Sequence, residues 1–274
     1  MQSYDPYTYW ESAISDTPDV SAVGHPELGS YNRVAYRLRL ATLRRAVAAV
    51  CPAWPMVSVC DAAFGVGYYL DFYARAGVSR VAGIDLSPTA VRRAQARFPD
   101  YDLFQHDLAQ PLPLSPRSFD LVTAIDVLYH IVDDARWELA VENLCALVSE
   151  KGALLITDKF PRDSAHQTFA HVRRRPLAMY DAVLKRSSLK LERIWPVFVF
   201  MDDPITVGRP RWLALASAQQ WRVVHKTIRL FGRWPALRDA IAITLACVQL
   251  PFEKAALGLV SRSPNLEMLV ARRA

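Results

Sequence analysis

Apolar residues recur along this chain with two different periods, and the switching between them lays out an alternating order of strands and helices. Over residues 32–50, Val34, Leu38, Ala41, Leu43, Val47 and Val50 fall at helical spacing with arginines on the other face. That predicts an amphipathic helix ended by Cys51-Pro52. Short apolar runs follow and predict strands at Met56–Asp61, Arg80–Asp85, Tyr101–Gln105, Phe119–Ile125 and Ala153–Asp158. Phe119–Ile125 is apolar apart from Asp120 and Thr123, as a parallel strand buried on both faces should be. Helices are predicted between them: Tyr68–Arg75, capped by Gly77; one opened by Ser87 as N-cap with Pro88 at its first position; and Asp134–Val148. A helix over Pro176–Ser187 leads to a sixth strand, Leu189–Phe200, where Pro196 is out of place for an inner strand. Leu266–Arg272 reads as a last strand. Strands separated by helices in this order argue a parallel sheet with right-handed crossovers.

Two stretches stand outside the alternation. Residues 1–30 hold Tyr4, Tyr7, Tyr9 and Trp10, then Gly24, Pro26 and Gly29, and read as an arm or lid. Between Met201 and Pro264, about sixty residues read as two helices, Arg211–Leu230 and Pro235–Val260, the second kinked at Pro251. The chain therefore divides into an N-terminal arm and helix (1–50), a core (51–200), a helical insertion (201–264) and a final strand of the core (265–274).

With 274 residues, 52% apolar and 22% charged, the chain is long enough to bury a sizeable core without staples. Cys51, Cys60, Cys145 and Cys247 are widely spaced and form no Cys-x-x-Cys pair, so neither a metal site nor a disulfide framework is expected. Reduced, mostly buried thiols in a cytoplasmic protein fit better. Met1–Trp10 has no apolar stretch and does not read as a signal peptide. The most apolar run, Ala240–Phe252, is shorter than the roughly 20 residues of a membrane span and reads as a core or interfacial helix. The net charge of +6, much of it arginine, fits a solvated basic surface or attraction to an anionic substrate or membrane surface. Nucleic acid is not expected as a partner, because no recognition motif accompanies the charge.

The chemistry concentrates where predicted strands end. Asp61-Ala-Ala-Phe-Gly65-Val-Gly67 joins the first strand to the first helix, and small residues at such a turn let backbone N–H groups approach a ligand. Asp85 ends the second strand twenty residues after Gly65, where an acid can accept from both hydroxyls of a ribose. Asp107 follows the third strand. A nicotinamide-dependent dehydrogenase would carry Gly-x-Gly-x-x-Gly, but the third glycine falls on Leu70 and that match fails.

The series Val57-Ser-Val-Cys-Asp61-Ala-Ala-Phe-Gly65-Val-Gly67, Gly83-Ile-Asp85-Leu-Ser, Asp107-Leu, Phe119–His130 and Gly152-Ala-Leu-Leu-Ile resembles the class I, S-adenosylmethionine-dependent methyltransferase family over roughly residues 55–160. The resemblance implies a Rossmann-like α/β fold: a mostly parallel seven-stranded sheet with helices on both faces, here with an N-terminal helical arm and a helical insertion before the last strand. It implies S-adenosyl-L-methionine as cofactor. Asp61, Ala63, Gly65 and Gly67 would then surround its methionine and ribose, and Asp85 would take the ribose hydroxyls with Leu86 against adenine. Asp107 would reach the adenine amino group beside Leu108, and Asp126 would complete the set. Ala63 departs from the glycine that the family often has there.

Methyl transfer needs an aligned acceptor and sometimes a base. His130, Tyr129 and Asp158 are the candidates, with Asp126, Asp133 and Lys159 near them. His130 is the natural base because its ordinary pKa lies near neutrality, although a histidine there could equally cap or pack a helix. The run Arg173-Arg174-Arg175, with Lys159, Arg162, Arg209 and Arg211, fits a solvated surface or an anionic acceptor. The acceptor expected is a small hydrophobic or amphipathic metabolite, with O-methylation favoured. The insertion is expected to roof the acceptor site, or else to form a patch for self-association or peripheral membrane contact. The competing functions are the dehydrogenase and a non-catalytic cofactor-binding protein that acts by interaction.

Overall fold

A computed structural model describes residues 4–16, 28, 30–162, 164–205 and 211–273. In chain order the elements are α1 (Pro6–Asp16), α2 (Ser30–Val50), β1 (Ser58–Ala62), α3 (Tyr68–Ala76), β2 (Arg80–Asp85), α4 (Pro88–Arg97), β3 (Asp102–Gln105) and β4 (Phe119–Ala124). A short 3-10 turn at Leu128–His130 precedes α5 (Asp134–Leu147) and β5 (Val148–Asp158). There follow β6 (His166–Phe169), β7 (Val172–Arg174), α6 (Leu177–Arg186), β8 (Leu189–Pro196), α7 (Arg211–Leu230), α8 (Pro235–Leu259) and β9 (Glu267–Arg273). The expected arm residues Gly24, Pro26 and Gly29, and the basic candidate Arg209, lie outside the described residues.

Seven strands form one sheet in the order β3-β2-β1-β4-β5-β9-β8. β1 through β5 pair in parallel, whereas β9 runs antiparallel to both β5 and β8. The fold is the Rossmann-like one the sequence implies, and β8 and β9 take the places read for the sixth and seventh strands. The period of two along each strand divides the core. Val59, Leu121, Leu155 and Val270 pack with α2 and α3 on one face, while Cys60, Val122, Leu154 and Ala271 pack with α5 and α6 on the other. Local rules set the helix ends as read: Ser87 Oγ accepts from Ala90 N–H (3.0 Å), and Gly77 closes α3 at φ 80°.

Three expectations change. The sixth strand stops at Pro196, short of Phe200, because beyond that proline the backbone of Val197 and Phe198 turns to the carbonyl of Leu266. The segment between the fifth strand and α6 forms a hairpin, β6–β7, that the apolar pattern did not announce. The insertion also sits differently from the roof expected of it. Trp221 meets Tyr31 of α2 with ring centroids 6.1 Å apart, Ser217 Oγ donates to the Val199 carbonyl (2.5 Å), and Ala242 and Ala246 of α8 are buried. The two helices thus flank α2. Among the described residues the insertion touches the cavity only through its first stretch, Asp202–Ile205.

Candidate active site

The carboxyl ends of β1, β2, β3 and β4 open into a cavity of about 880 Å3, near the top of the size range of ligand pockets. Its walls include Ala63–Val66, Ile84–Leu86, His106–Leu108 and Ile125–Asp126 from the sheet edge. Of the sequence-predicted cofactor residues, Ala63, Gly65, Asp85, Leu86, Asp107, Leu108 and Asp126 line it together. Asp61 and Gly67 do not: Gly67 opens α3 and borders a smaller adjoining hollow, and Asp61 is buried.

The loop after β1 is held by its own backbone. Ala63 and Gly65 both adopt positive φ (58° and 53°), and Ala63 N–H donates to the Ile84 carbonyl (2.6 Å). An alanine in this region carries a conformational cost that glycine would not, which makes the departure at Ala63 a strained one. The carboxylate of Asp85 accepts from Gly65 N–H (2.7 Å) and Ser87 N–H (2.9 Å), so it fixes the loop as well as facing the cavity. Burial pushes its pKa up to about 6. Gly83 is required by packing, since a Cβ there would lie 2.7 Å from the Phe64 ring. Asp61 accepts from Thr123 Oγ1 (2.7 Å) through one oxygen, while its Oδ2 is buried without a hydrogen-bond partner. Burial, against that hydrogen bond, pushes the Asp61 carboxyl up to about 7. Asp107 binds Ala109 N–H (2.9 Å) and pairs with Arg136 (2.5 Å).

The opposite wall is aromatic and charged. His130 and Tyr129 leave the 3-10 turn, and both line the cavity. His130 Nδ1 lies 2.8 Å from the His171 carbonyl, which can only accept, so Nδ1 carries the proton and Nε2 is left with its lone pair. Burial pushes the His130 pKa down to about 3, so the ring is neutral at physiological pH. Trp10 of α1 packs edge-on against His130 at 4.6 Å, and Tyr9 stacks on His171 at 4.8 Å. The arm is therefore a lid over this wall. Glu11 anchors it, accepting from Ser87 Oγ (2.5 Å), Thr89 Oγ1 (2.5 Å) and Thr89 N–H (3.2 Å), and these bonds draw its pKa down to about 2. Arg93 completes the clamp by donating to the Ile14 carbonyl (2.6 Å).

Three buried cations meet here, each beside a carboxylate. Arg39 Nε lies 2.6 Å from Asp126 Oδ2, Lys159 Nζ 3.2 Å from Asp202 Oδ2, and Arg174 Nη1 2.7 Å from Asp158 Oδ1. The third pair corrects two expectations. Asp158 does not line the cavity; it is fully buried, held by Arg174, Tyr180 Oη (2.6 Å) and Lys159 N–H (2.7 Å). It therefore positions Arg174 and cannot face an acceptor. Nor is the arginine run a solvated surface: Arg174 lies over the Tyr129 ring (3.7 Å) and lines the cavity, Arg175 is fully buried, and Arg173 and Arg175 both pair with Asp134. Glu11, Arg39 and Asp202 were missed as site residues. Glu11 stands in the N-terminal stretch read as an arm, Arg39 in a helical stretch where a charge reads as an outer-face residue, and Asp202 where the apolar pattern breaks off. Among the described residues no group of three His, Cys, Asp or Glu side chains is placed to hold a metal ion.

Comparison with known proteins fits this geometry. Residues 59–152 match the family model of a methyltransferase domain. A probable S-adenosylmethionine-dependent methyltransferase of Mycobacterium tuberculosis is 31% identical over 99 residues, 36% of this chain; the match spans 34%, about a third, of that relative's length. Among solved structures, the magnesium protoporphyrin IX methyltransferase of Synechocystis with bound S-adenosylmethionine superposes with a TM-score of 0.52 at 21% identity, over 71% of this chain and 91% of that one. The O-methyltransferase of a trans-AT PKS multienzyme of Brevibacillus brevis, in complex with S-adenosylhomocysteine, gives 0.53 at 14% identity over 80% and 67%. Residues 59–152 thus match a methyltransferase domain, and the loop after β1 and the sheet order give the whole chain the Rossmann-like fold of the solved methyltransferases it resembles.

Proposed function

We propose that the chain binds S-adenosyl-L-methionine along the carboxyl ends of β1–β3 and transfers its methyl group to a small acceptor held between the lid and the wall of Tyr129, His130 and Arg174. The observation that carries this reading is the Asp85–Gly65 clasp at the cavity edge. Asp85 keeps lone pairs beyond its two backbone bonds for ribose hydroxyls, and Asp107, with Leu86 and Leu108, borders the place for adenine. S-adenosylmethionine supplies an electrophilic methyl on a sulfonium; the remaining work belongs to the chain's own side chains. Trp10 and Tyr9 exclude water from above, and Arg174 is fixed against Tyr129 by Asp158.

His130 suits an acceptor hydroxyl, which favours O-methylation: its neutral Nε2 can accept that hydroxyl's hydrogen bond and orient it while Nδ1–H stays on the His171 carbonyl, although a pKa drawn down to about 3 makes the ring a weaker base than its ordinary near-neutral value suggested. The aromatic wall and the buried Arg39, Lys159 and Arg174 fit an amphipathic acceptor with an apolar body and an anionic group. Incubating purified protein with methyl-labelled S-adenosylmethionine and fractionated metabolite extracts tests the reading. Label should pass to a small molecule and stop when S-adenosylhomocysteine is in excess. Cofactor binding with no transfer to any fraction would favour a non-catalytic binding role instead.

A further inference from the structure

The outer faces of α7 and α8 carry a combination that the cavity chemistry leaves unused. In α8 the buried residues are small or polar: Ala242, Ala246 and Glu253. Its apolar bulk points the other way, with Val248 60%, Phe252 70% and Leu259 87% exposed. Trp212 and Leu230 of α7 and Trp234 between the helices continue the face at 69%, 72% and 54%. Large apolar side chains exposed in this number on two neighbouring helices mark an interaction site. α8 is also longer than the apolar run within it suggested: it has 25 residues, its most apolar 18-residue window has a mean hydropathy of 1.4, enough by length and composition to cross a membrane, and only 17% of that window is buried. In this fold it lies along the surface. Glu253 accepts from Val199 N–H (2.5 Å) and Phe200 N–H (2.8 Å), and Gln249 accepts from Tyr31 Oη (2.7 Å).

Charge decides what covers it. Residues 211–259, the two helices and their link, hold seven Lys and Arg against two acids, a surplus of five within the chain's net charge of +6. Arg211, Arg222, Lys226, Arg229, Arg233 and Lys254 are exposed. The two acids are spent within the fold: Asp239 on Arg238, and Glu253 on the backbone. A second copy seated on this face would set one cationic surplus against another. An anionic lipid surface complements both halves of the pattern, with tryptophans at headgroup depth and cations against phosphates.

We propose that the α7–α8 face docks the protein on an anionic phospholipid bilayer, lying in the interface without crossing it. A lipid-like acceptor would then be met where the protein sits; that consequence rests on the methyl-transfer reading, whereas the docking does not. The test is sedimentation of the full chain with vesicles of equal parts phosphatidylglycerol and phosphatidylcholine, against phosphatidylcholine alone. The chain should pellet with the anionic vesicles and be released by salt. Lys226→Glu with Arg229→Glu should weaken the partition by at least about fivefold per cation lost, and Phe252→Ser with Leu259→Ser should abolish it. Both variants should keep the wild-type circular dichroism spectrum and S-adenosylhomocysteine affinity, which separates this proposal from the cofactor reading. A chain that stays in the supernatant, or pellets equally well with either double variant, overturns it. So does a solution dimer that Phe252→Ser dissociates, which would assign the face to self-association.

Discussion

Replacing Asp85 by asparagine probes the cofactor edge with the smallest change of shape. The native carboxylate, which lines the cavity, accepts from Gly65 N–H at 2.7 Å through one oxygen and from Ser87 N–H at 2.9 Å through the other, and each oxygen has a second lone pair. Asparagine offers one acceptor oxygen, so its amide nitrogen must face one of the two backbone donors. The clasp on the loop after β1 loosens, and one charge-assisted bond to a ribose hydroxyl is lost. A hydrogen bond to a charged group in such a site is worth roughly 1.5–3 kcal/mol, or about tenfold to a hundredfold in affinity. Calorimetric titration with S-adenosylhomocysteine, with circular dichroism to verify folding, reads that loss directly. A pH series adds a second signature. The Asp85 carboxyl is raised by burial to about 6 and that of Asp61 to about 7, so both hold a proton more tightly folded than unfolded. The ligand-free protein should therefore gain stability from these groups as pH falls from about 7 toward about 4, while cofactor affinity falls because the accepting Asp85 carboxylate becomes protonated. Unchanged affinity in Asp85→Asn with the fold intact would refute the placement of the ribose.

Three further outcomes follow from the same geometry. His130→Ala should lower turnover by roughly a hundredfold or more while leaving S-adenosylhomocysteine affinity unchanged; a near-native rate would make His130 a packing residue. Glu11→Ala removes three hydrogen bonds that pin the lid to the start of α4, and should raise the acceptor KM and speed limited proteolysis near α1; equal KM and equal cleavage would show that the lid is held elsewhere. Asp158→Ala leaves Arg174 buried without its partner and should destabilise the fold by about 3–5 kcal/mol in urea titration; a loss below about 1 kcal/mol would contradict the positioning role.

The sheet was legible in the sequence because the signals that form it are local. Ser87-Pro88, Gly77 and the glycine turn after β1 each fix backbone by their own chemistry, and buried parallel strands such as β4 are apolar whatever packs on them. The cofactor edge followed, since topology alone brings Ala63, Asp85, Asp107 and Asp126 to one rim. What stayed hidden depends on pairing across the chain. The β6–β7 hairpin has no apolar alternation, and its arginines are buried only because Asp134 and Asp158, distant in sequence, meet them. Helical spacing revealed α7 and α8 but not which way their apolar residues face, and in α8 the bulk faces outward. Glu11 looked like an exposed arm residue until α4 presented Ser87 and Thr89 to it.

The central claim, that this cavity holds the methyl donor beside Tyr129 and His130, is tested most directly by a crystal structure grown with S-adenosylhomocysteine. The account expects the ribose hydroxyls on Asp85, the adenine between Leu86 and Leu108, and the sulfur facing the wall of Tyr129, His130 and Arg174. A ligand bound elsewhere, or one whose sulfur points away from that wall, would contradict it.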